Sequence, residues 1–381
     1  MPITQDIVIL DIEEGQAVKQ EEGFLKYLKS FFGAKGSISL RNKVIFFRIM
    51  ATMVNASLTV LKSLTALRKQ EKEKNMQKFY DYMIEKVQGG LTMHESLDAY
   101  YGNFSDAEVS IIEAGERTGK LNTALIQIAE QTEKVDSITR KIKGAMTYPI
   151  LLIVGMAGCV TVLMVKVIPT LTSFFGDKES LPAATKLIVD TSDFFKANWF
   201  FIFMGFVIAY FILTVWKGTK SGRYKFDQFL LVAPVYGPLV RKVILSRFAR
   251  IFSNLVKSGV SVIEAIRIVA SAVGNEVYHQ RLLLMRQDVK NGMKMAESLE
   301  DDPLFPDLLI SMLRVGEETA QIGDTIIKIA DFYDEEVDIA IGNVQKMIEP
   351  LILAVMAVVI GFIAVGIFQP IMNLAGTLGG S

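Results

Sequence analysis

Apolar residues are distributed along this chain in two ways. In three stretches, 149–169, 197–216 and 350–368, they run almost unbroken. Elsewhere they recur at helical spacing with polar residues between, as at Phe47, Met50, Met53 and Val54. About 20 consecutive apolar residues are enough to cross a bilayer, so the long runs predict three membrane spans. The first has no charge before Lys166, which sits near its end and can snorkel. The second is uncharged, with Trp199 and Trp216 where an aromatic belt belongs. The third leads into a tail without charge as far as Ser381.

The same pattern is written twice. Adding 202 to residues 48–97 brings Arg48-Ile49 onto Arg250-Ile251, and Gly90, Met93 and Glu95-Ser96-Leu97 onto Gly292, Met295 and Glu297-Ser298-Leu299. One residue then drops out. At an offset of 201, Phe104 falls on Phe305, Gly115-Glu116 on Gly316-Glu317, Thr118 on Thr319, Pro149 on Pro350 and Pro169 on Pro370. Such a register with a single slip is the mark of duplication. Each copy reads as about six short helices followed by a span. Ser261-x-x-Glu264, Thr92-x-x-Glu95 and Ser105-x-x-Glu108 are candidate capping boxes, each opening a helix. No strong breaker lies between Leu121 and Gly144, so the last helix of the first copy is expected to run on into the membrane. Pro149 and Pro350 then mark a kink or boundary close to the membrane surface.

The predicted fold is an all-α membrane protein with two repeated six-helix cytoplasmic bundle domains and three transmembrane helices. Its expected divisions are a cytoplasmic tail over 1–45, a first domain over 46–148 and a span over 149–169. A periplasmic loop over 170–196 and a second span over 197–216 follow. The second domain covers 217–348, the third span 349–369 and a periplasmic tail 370–381. Basic flanks set the orientation. Arg140, Lys141 and Lys143 precede the first span, Lys217, Lys220, Arg223 and Lys225 follow the second, and Lys346 precedes the third. The positive-inside rule therefore places the N-terminus and both domains in the cytoplasm. Within the N-terminal tail, Phe24, Leu25, Tyr27, Leu28, Phe31 and Phe32 form either an amphipathic docking segment or plain linker. The acidic first 19 residues lack the basic and apolar regions of a secretory signal.

Composition narrows the chemistry. With 41 basic and 41 acidic residues the net charge is zero, and nucleic acid is not an expected partner. Cys159 is the single cysteine and His94 and His279 the two histidines, so neither an internal disulfide nor a zinc or iron–sulfur site is expected. No cofactor is implied, no phosphate-binding GxxxxGK[ST] occurs, and no nucleophile or general base recurs beside the repeated Gly-Glu-x-Thr motif, Gly115-Glu116-x-Thr118 and Gly316-Glu317-x-Thr319. The chain therefore reads as a non-enzyme.

The sharpest repeated signal is Gly115-Glu116-x-Thr118-Gly119 with Gly316-Glu317-x-Thr319. It fits a structural helix corner, the glycine easing close packing and the carboxylate meeting the amides of the next helix. It also fits a partner contact. The acidic run Asp331, Asp334, Glu335, Glu336 and Asp338 is either a solvated helix face or a surface for a basic partner. Gly205-x-x-x-Ala209 and Ala357-x-x-x-Gly361 would allow close helix pairing in the membrane. No Asp, Glu, Arg or His sits at the centre of a span, which weighs against a repeat-built transporter or channel, the alternative reading.

Two helical domains, each closed by such a motif and a Pro-led span, resemble the PilC/GspF family of inner-membrane platform proteins of type IV pili and type II secretion systems. The resemblance rests on Ala114-Gly115-Glu116-Arg117-Thr118-Gly119-Lys120-Leu121 and Val315-Gly316-Glu317-Glu318-Thr319. Leu255-x-x-Ser258-Gly259-Val260, Tyr148-Pro149 and Glu349-Pro350 support it. Ala320 and Ile322 depart from the motif, as does Ser57-Leu58, where the family has a Gly-Val turn. The resemblance implies a bacterial inner-membrane protein that contacts a cytoplasmic hexameric ATPase, pilin or pseudopilin subunits and other inner-membrane assembly proteins. It implies a homo-oligomer that couples the ATPase to pilin polymerisation.

Overall fold

The computed structural model describes residues 38–100, 102–167, 170, 183–234 and 236–378. The Phe24–Phe32 segment, residues 171–182 of the loop after the first span and the last three residues lie outside the described residues. Every described element is a helix.

The first copy holds α1 (Leu40–Asn55), α2 (Val60–Gln70), α3 (Lys74–Gln88), α4 (Met93–Asp98), α5 (Asp106–Arg117) and α6 (Leu121–Val162). Helix α6 passes into a π-helical turn at Leu163–Val167. The second span lies in α7 (Ala183–Gly218), which starts within the stretch expected to be loop. Helix α8 (Lys220–Val232) leads into the second copy: α9 (Tyr236–Lys257), α10 (Val262–Ala272), α11 (Glu276–Lys290), α12 (Met295–Ser298), α13 (Asp307–Glu318) and α14 (Ile322–Leu378). Each copy thus has the six helices its sequence predicts.

Local chemistry starts these helices. Thr92 and Ser105 form full capping boxes with Glu95 and Glu108. Ser39, Thr59, Thr219 and Asn275 each accept a first-turn amide. The third expected box does not form. Ser261 makes no side-chain cap, and Glu264 instead accepts from Arg267 one turn on, at 2.8 Å from Nε. That charge-assisted bond holds the Glu264 carboxyl below its usual range.

Helices α6 and α14 are uninterrupted from the soluble head into the apolar run. At 1.5 Å per residue, the 42 residues of α6 span about 63 Å and the 57 of α14 about 86 Å. Pro149 and Pro350 both lie inside them and mark no helix boundary. Three described segments are long and apolar enough to cross a membrane: Leu121–Val162, Phe200–Gly218 and Ile322–Gly361. Large apolar side chains such as Leu151, Phe201 and Val358 stand exposed there, as lipid-facing residues do. In the heads the same residue types are buried.

One continuous core runs through both heads. In the first copy Phe46, Phe47, Phe79, Tyr80 and Phe104 make an aromatic nest, with Phe46 and Phe79 edge to face at 5.1 Å. In the second, Phe248, Phe252, Tyr278 and Phe305 occupy the centre. A smaller cluster joins the two long helices nearer the membrane, where Ala145, with Ile138 and Ile142, meets Val337, Ala340, Ile341 and Val344.

At one buried place an ion pair in one copy is replaced by two apolar residues in the other. Lys43 Nζ lies 3.0 Å from Glu108 Oε2, and both side chains are buried. At the equivalent positions the second copy has Leu245 and Leu309, also buried. An ion pair and a leucine pair thus fill the same slot in two versions of one bundle.

Candidate functional site

The repeated Gly-Glu-x-Thr motif sits where α5 meets α6 and where α13 meets α14. Each of its residues has a separate physical task there. Gly115 lets the helices touch: a Cβ on it would lie 2.5 Å from Ala124 Cβ. A Cβ on Gly316 would lie 2.9 Å from Ile322 Cα. Thr118 and Thr319 are the C-caps, and their hydroxyls donate to the carbonyls of Ala114 and Val315 at 2.7 and 2.8 Å. Gly119 then turns the chain with φ +68°, and its counterpart Ala320 makes the same left-handed turn at φ +56°. The turns close alike, Lys120 N on Gly115 O at 2.8 Å and Gln321 N on Gly316 O at 3.0 Å.

The glutamates reach backwards. Glu116 accepts from Met93 N at 2.8 Å and His94 N at 3.2 Å, capping the N-terminus of α4. Glu317 accepts from Met295 N at 2.6 Å and Ala296 N at 3.1 Å, at the start of α12. The sequence reading expected the amides of the following helix. The structure places the carboxylates on the short preceding one, because Thr118 and Thr319 already occupy the helix end and the side chains point back along it. Two orphan amides and a favourable helix dipole explain a carboxylate at that spot. In the first copy His94 Nδ1 also lies 2.6 Å from Glu116 Oε2. The second has Ala296 there and lacks this contact.

The other departures noted in the sequence are absorbed. Ser57 adopts φ +63° where Gly259 has +90°. Both turns close identically, Leu58 N on Met53 O and Val260 N on Leu255 O, each at 3.0 Å.

The acidic run is not an open solvated face. Arg250 binds Asp331 and Asp334, Lys242 binds Glu336 at 2.6 Å, and Lys141 of the first copy binds Asp338 at 2.6 Å. The basic partner is largely the chain itself. Further contacts join the copies: Lys134 to Asp334 at 3.5 Å, Asn254 Nδ2 to Gln131 Oε1 at 3.2 Å, and Ser258 Oγ to Gln127 Oε1 at 2.8 Å. Sequence reasoning missed this inter-repeat seam. Its one trace in the sequence is that Gln127 and Gln131 lose their counterparts' character, becoming Lys328 and Phe332. Among the described residues no group of three or more His, Cys, Asp or Glu could hold a metal ion.

The profile of the family described as type II secretion system (T2SS), protein F matches residues 46–169 and again 248–370. The two matches are offset by 202 residues at their starts and 201 at their ends, the register of the repeat. The chain belongs to this family. Among curated members of the protein F family, it is 32% identical over 352 residues to the type IV pilus assembly protein PilC of Pseudomonas aeruginosa, covering 92% of this chain and 94% of that one. It is 33% identical over 345 residues to PilC of Myxococcus xanthus, covering 90% and 82%. To the type II secretion system protein F of Vibrio cholerae it is 26% identical over 345 residues, covering 90% and 85%.

Proposed function

We propose that this protein is the inner-membrane platform of a type IV pilus or type II secretion machine. In this reading it performs no chemistry. A cytoplasmic hexameric ATPase binds the helical heads, pilin or pseudopilin subunits are handled at the spans, and the chain works as a homo-oligomer beside other inner-membrane assembly proteins. The heads, 46–148 and 217–348, lie in the cytoplasm with the tail over 1–45. The loop 170–196 and the tail 370–381 lie outside, as the basic flanks of the spans favour. The Gly-Glu corners keep each long helix fixed to its head.

The observation that carries the reading, together with family membership, is continuity. Helices α6 and α14 leave packed heads and enter the apolar segments without a break. A continuous helix passes on displacement or rotation, whereas a flexible linker absorbs it. Membership in a family whose relatives bear pilus and secretion names supplies the machine. The pilus relatives named above share more identity, so pilus assembly is the assay of choice.

The test inserts Gly-Gly-Ser-Gly after Lys143. Expression, membrane insertion and co-purification of the ATPase should persist, and pilus assembly should stop. Full assembly by this variant would sink the rigid-helix mechanism, and a parent chain that captures no assembly ATPase would count against the platform reading itself.

A further inference from the structure

The two heads do not meet through equivalent faces. The first copy offers α5 and α6, and the second receives them on α9, α10 and α14; where the two long helices touch, α6 uses Ile138, Ile142 and Ala145 and α14 uses the non-equivalent Val337, Ala340, Ile341 and Val344. Such a contact is heterologous, so each head keeps one face that its twin uses and it does not. Comparing equivalent positions locates both.

On α13 and α14 the unused face carries Leu308, Val315, Phe332 and Ile339, which are 44%, 47%, 42% and 55% exposed. Their first-copy counterparts, Ala107, Ala114, Gln131 and Ile138, are buried or half-buried. On α1 the unused face is the stripe Arg41, Ile45, Arg48 and Thr52, all exposed. Its second-copy counterparts, Val243, Arg247, Arg250 and Asn254, are half-buried or buried. The α1 stripe follows the i, i+4, i+7, i+11 spacing of one helix face, and the other is made of two i, i+7 pairs, Leu308 with Val315 on α13 and Phe332 with Ile339 on α14.

We propose that a second copy of this chain docks its α13/α14 face on the α1/α2 face of its neighbour, repeating between chains the contact made within each chain. The inference rests on the homo-oligomer of the platform reading and specifies its interface. Positions bonded inside the chain predict those that meet between chains. Asn254 and Gln131 become Thr52 and Phe332, and Ser258 and Gln127 become Ala56 and Lys328. Ile138 shares a cleft with Arg247, and their counterparts are the exposed Ile339 and Ile45. The pKa of Arg267 is raised chiefly by its bond to Glu264 and to a lesser degree by Asp106 of the other head, and Asp307 keeps that acid at the docking face. Arg41 on the receiving face and Glu335 on the docking face have opposite charge. Two spans separate the heads, so both lie on one side of the membrane, and a neighbour added by the same operation can share that membrane.

The test uses full-length chains in membranes, with Cys159→Ser as background. Thr52→Cys in a chain with one tag and Phe332→Cys in a chain with another should give a mixed cross-linked dimer with a short bis-maleimide. Ala56→Cys with Lys328→Cys should do the same, and this second pair keeps the test standing if one variant of the first fails to insert. Adding Phe332→Asp should abolish the product of the second pair. Two chains carrying Thr52→Cys, or two carrying Phe332→Cys, should not join. Homotypic products in place of mixed ones, or no mixed product from either pair in inserted chains, would overturn the interface. Capture of the ATPase, scored in the same membranes, reports on the platform reading separately.

Discussion

A single carboxylate holds each head's corner together. Glu116 and Glu317 are partly buried, and each satisfies two backbone amides that have no partner within a helix of six or four residues. Losing a charged acceptor leaves those amides to a poorer substitute, at about 1–3 kcal/mol. Glu116→Ala and Glu317→Ala should therefore lower the unfolding midpoint of the heads, read by circular dichroism of the full chain in detergent under a urea gradient. An unchanged midpoint beside lost pilus assembly would move the glutamate from the fold to a partner contact. The motif was legible because it recurs at a fixed offset. The direction of the carboxylate was not, because only the fold brings the start of α4 beside the end of α5.

At the scale of elements, three non-glycine residues among those described hold left-handed backbone, and two of them, Ser57 and Ala320, stand at turns where the other copy has glycine. A Cβ in that region costs roughly 1–2 kcal/mol, against about 0.5–1 kcal/mol for the freedom glycine loses on folding. Ala320→Gly should accordingly stabilise the heads by up to about 1 kcal/mol and raise their unfolding midpoint, and Gly119→Ala should lower it. A fall on Ala320→Gly would show that its methyl makes a contact worth more than the strain. Helix number, the caps at Thr92 and Ser105, and the run of α6 into the membrane were all readable from periodicity and cap chemistry. Ser261 misled because Arg267 competes for Glu264, a matter of side-chain choice within one turn. Of the kink or boundary expected at Pro149 and Pro350, the boundary is excluded, because each long helix continues past its proline.

At the scale of the whole molecule, the proposed orientation predicts that cysteines replacing Ser180 and Ser381 are labelled from outside intact spheroplasts in a Cys159→Ser background. One replacing Ser271, exposed on α10, should be labelled only after lysis, and labelling without lysis would reverse the orientation. The repeat and the three spans were plain in the sequence, since duplication and apolar runs are properties of the chain itself. The seam between the heads was hidden, since it pairs residues that the repeat does not align, such as Lys134 with Asp334 and Lys141 with Asp338. A chain that carries one bundle twice also faces a hazard as it folds: α1 and α9 can compete for the same place in either head. The slot filled by Lys43 and Glu108 in one head and by Leu245 and Leu309 in the other discriminates between them. Exchanging the two helices would bury an ammonium against Leu309 and a carboxylate against Leu245. Burying a charge without its partner costs about 3–5 kcal/mol at each site, a large part of what holds a domain folded. The ion pair therefore weighs against the exchanged arrangement, an address written into the interior of each bundle.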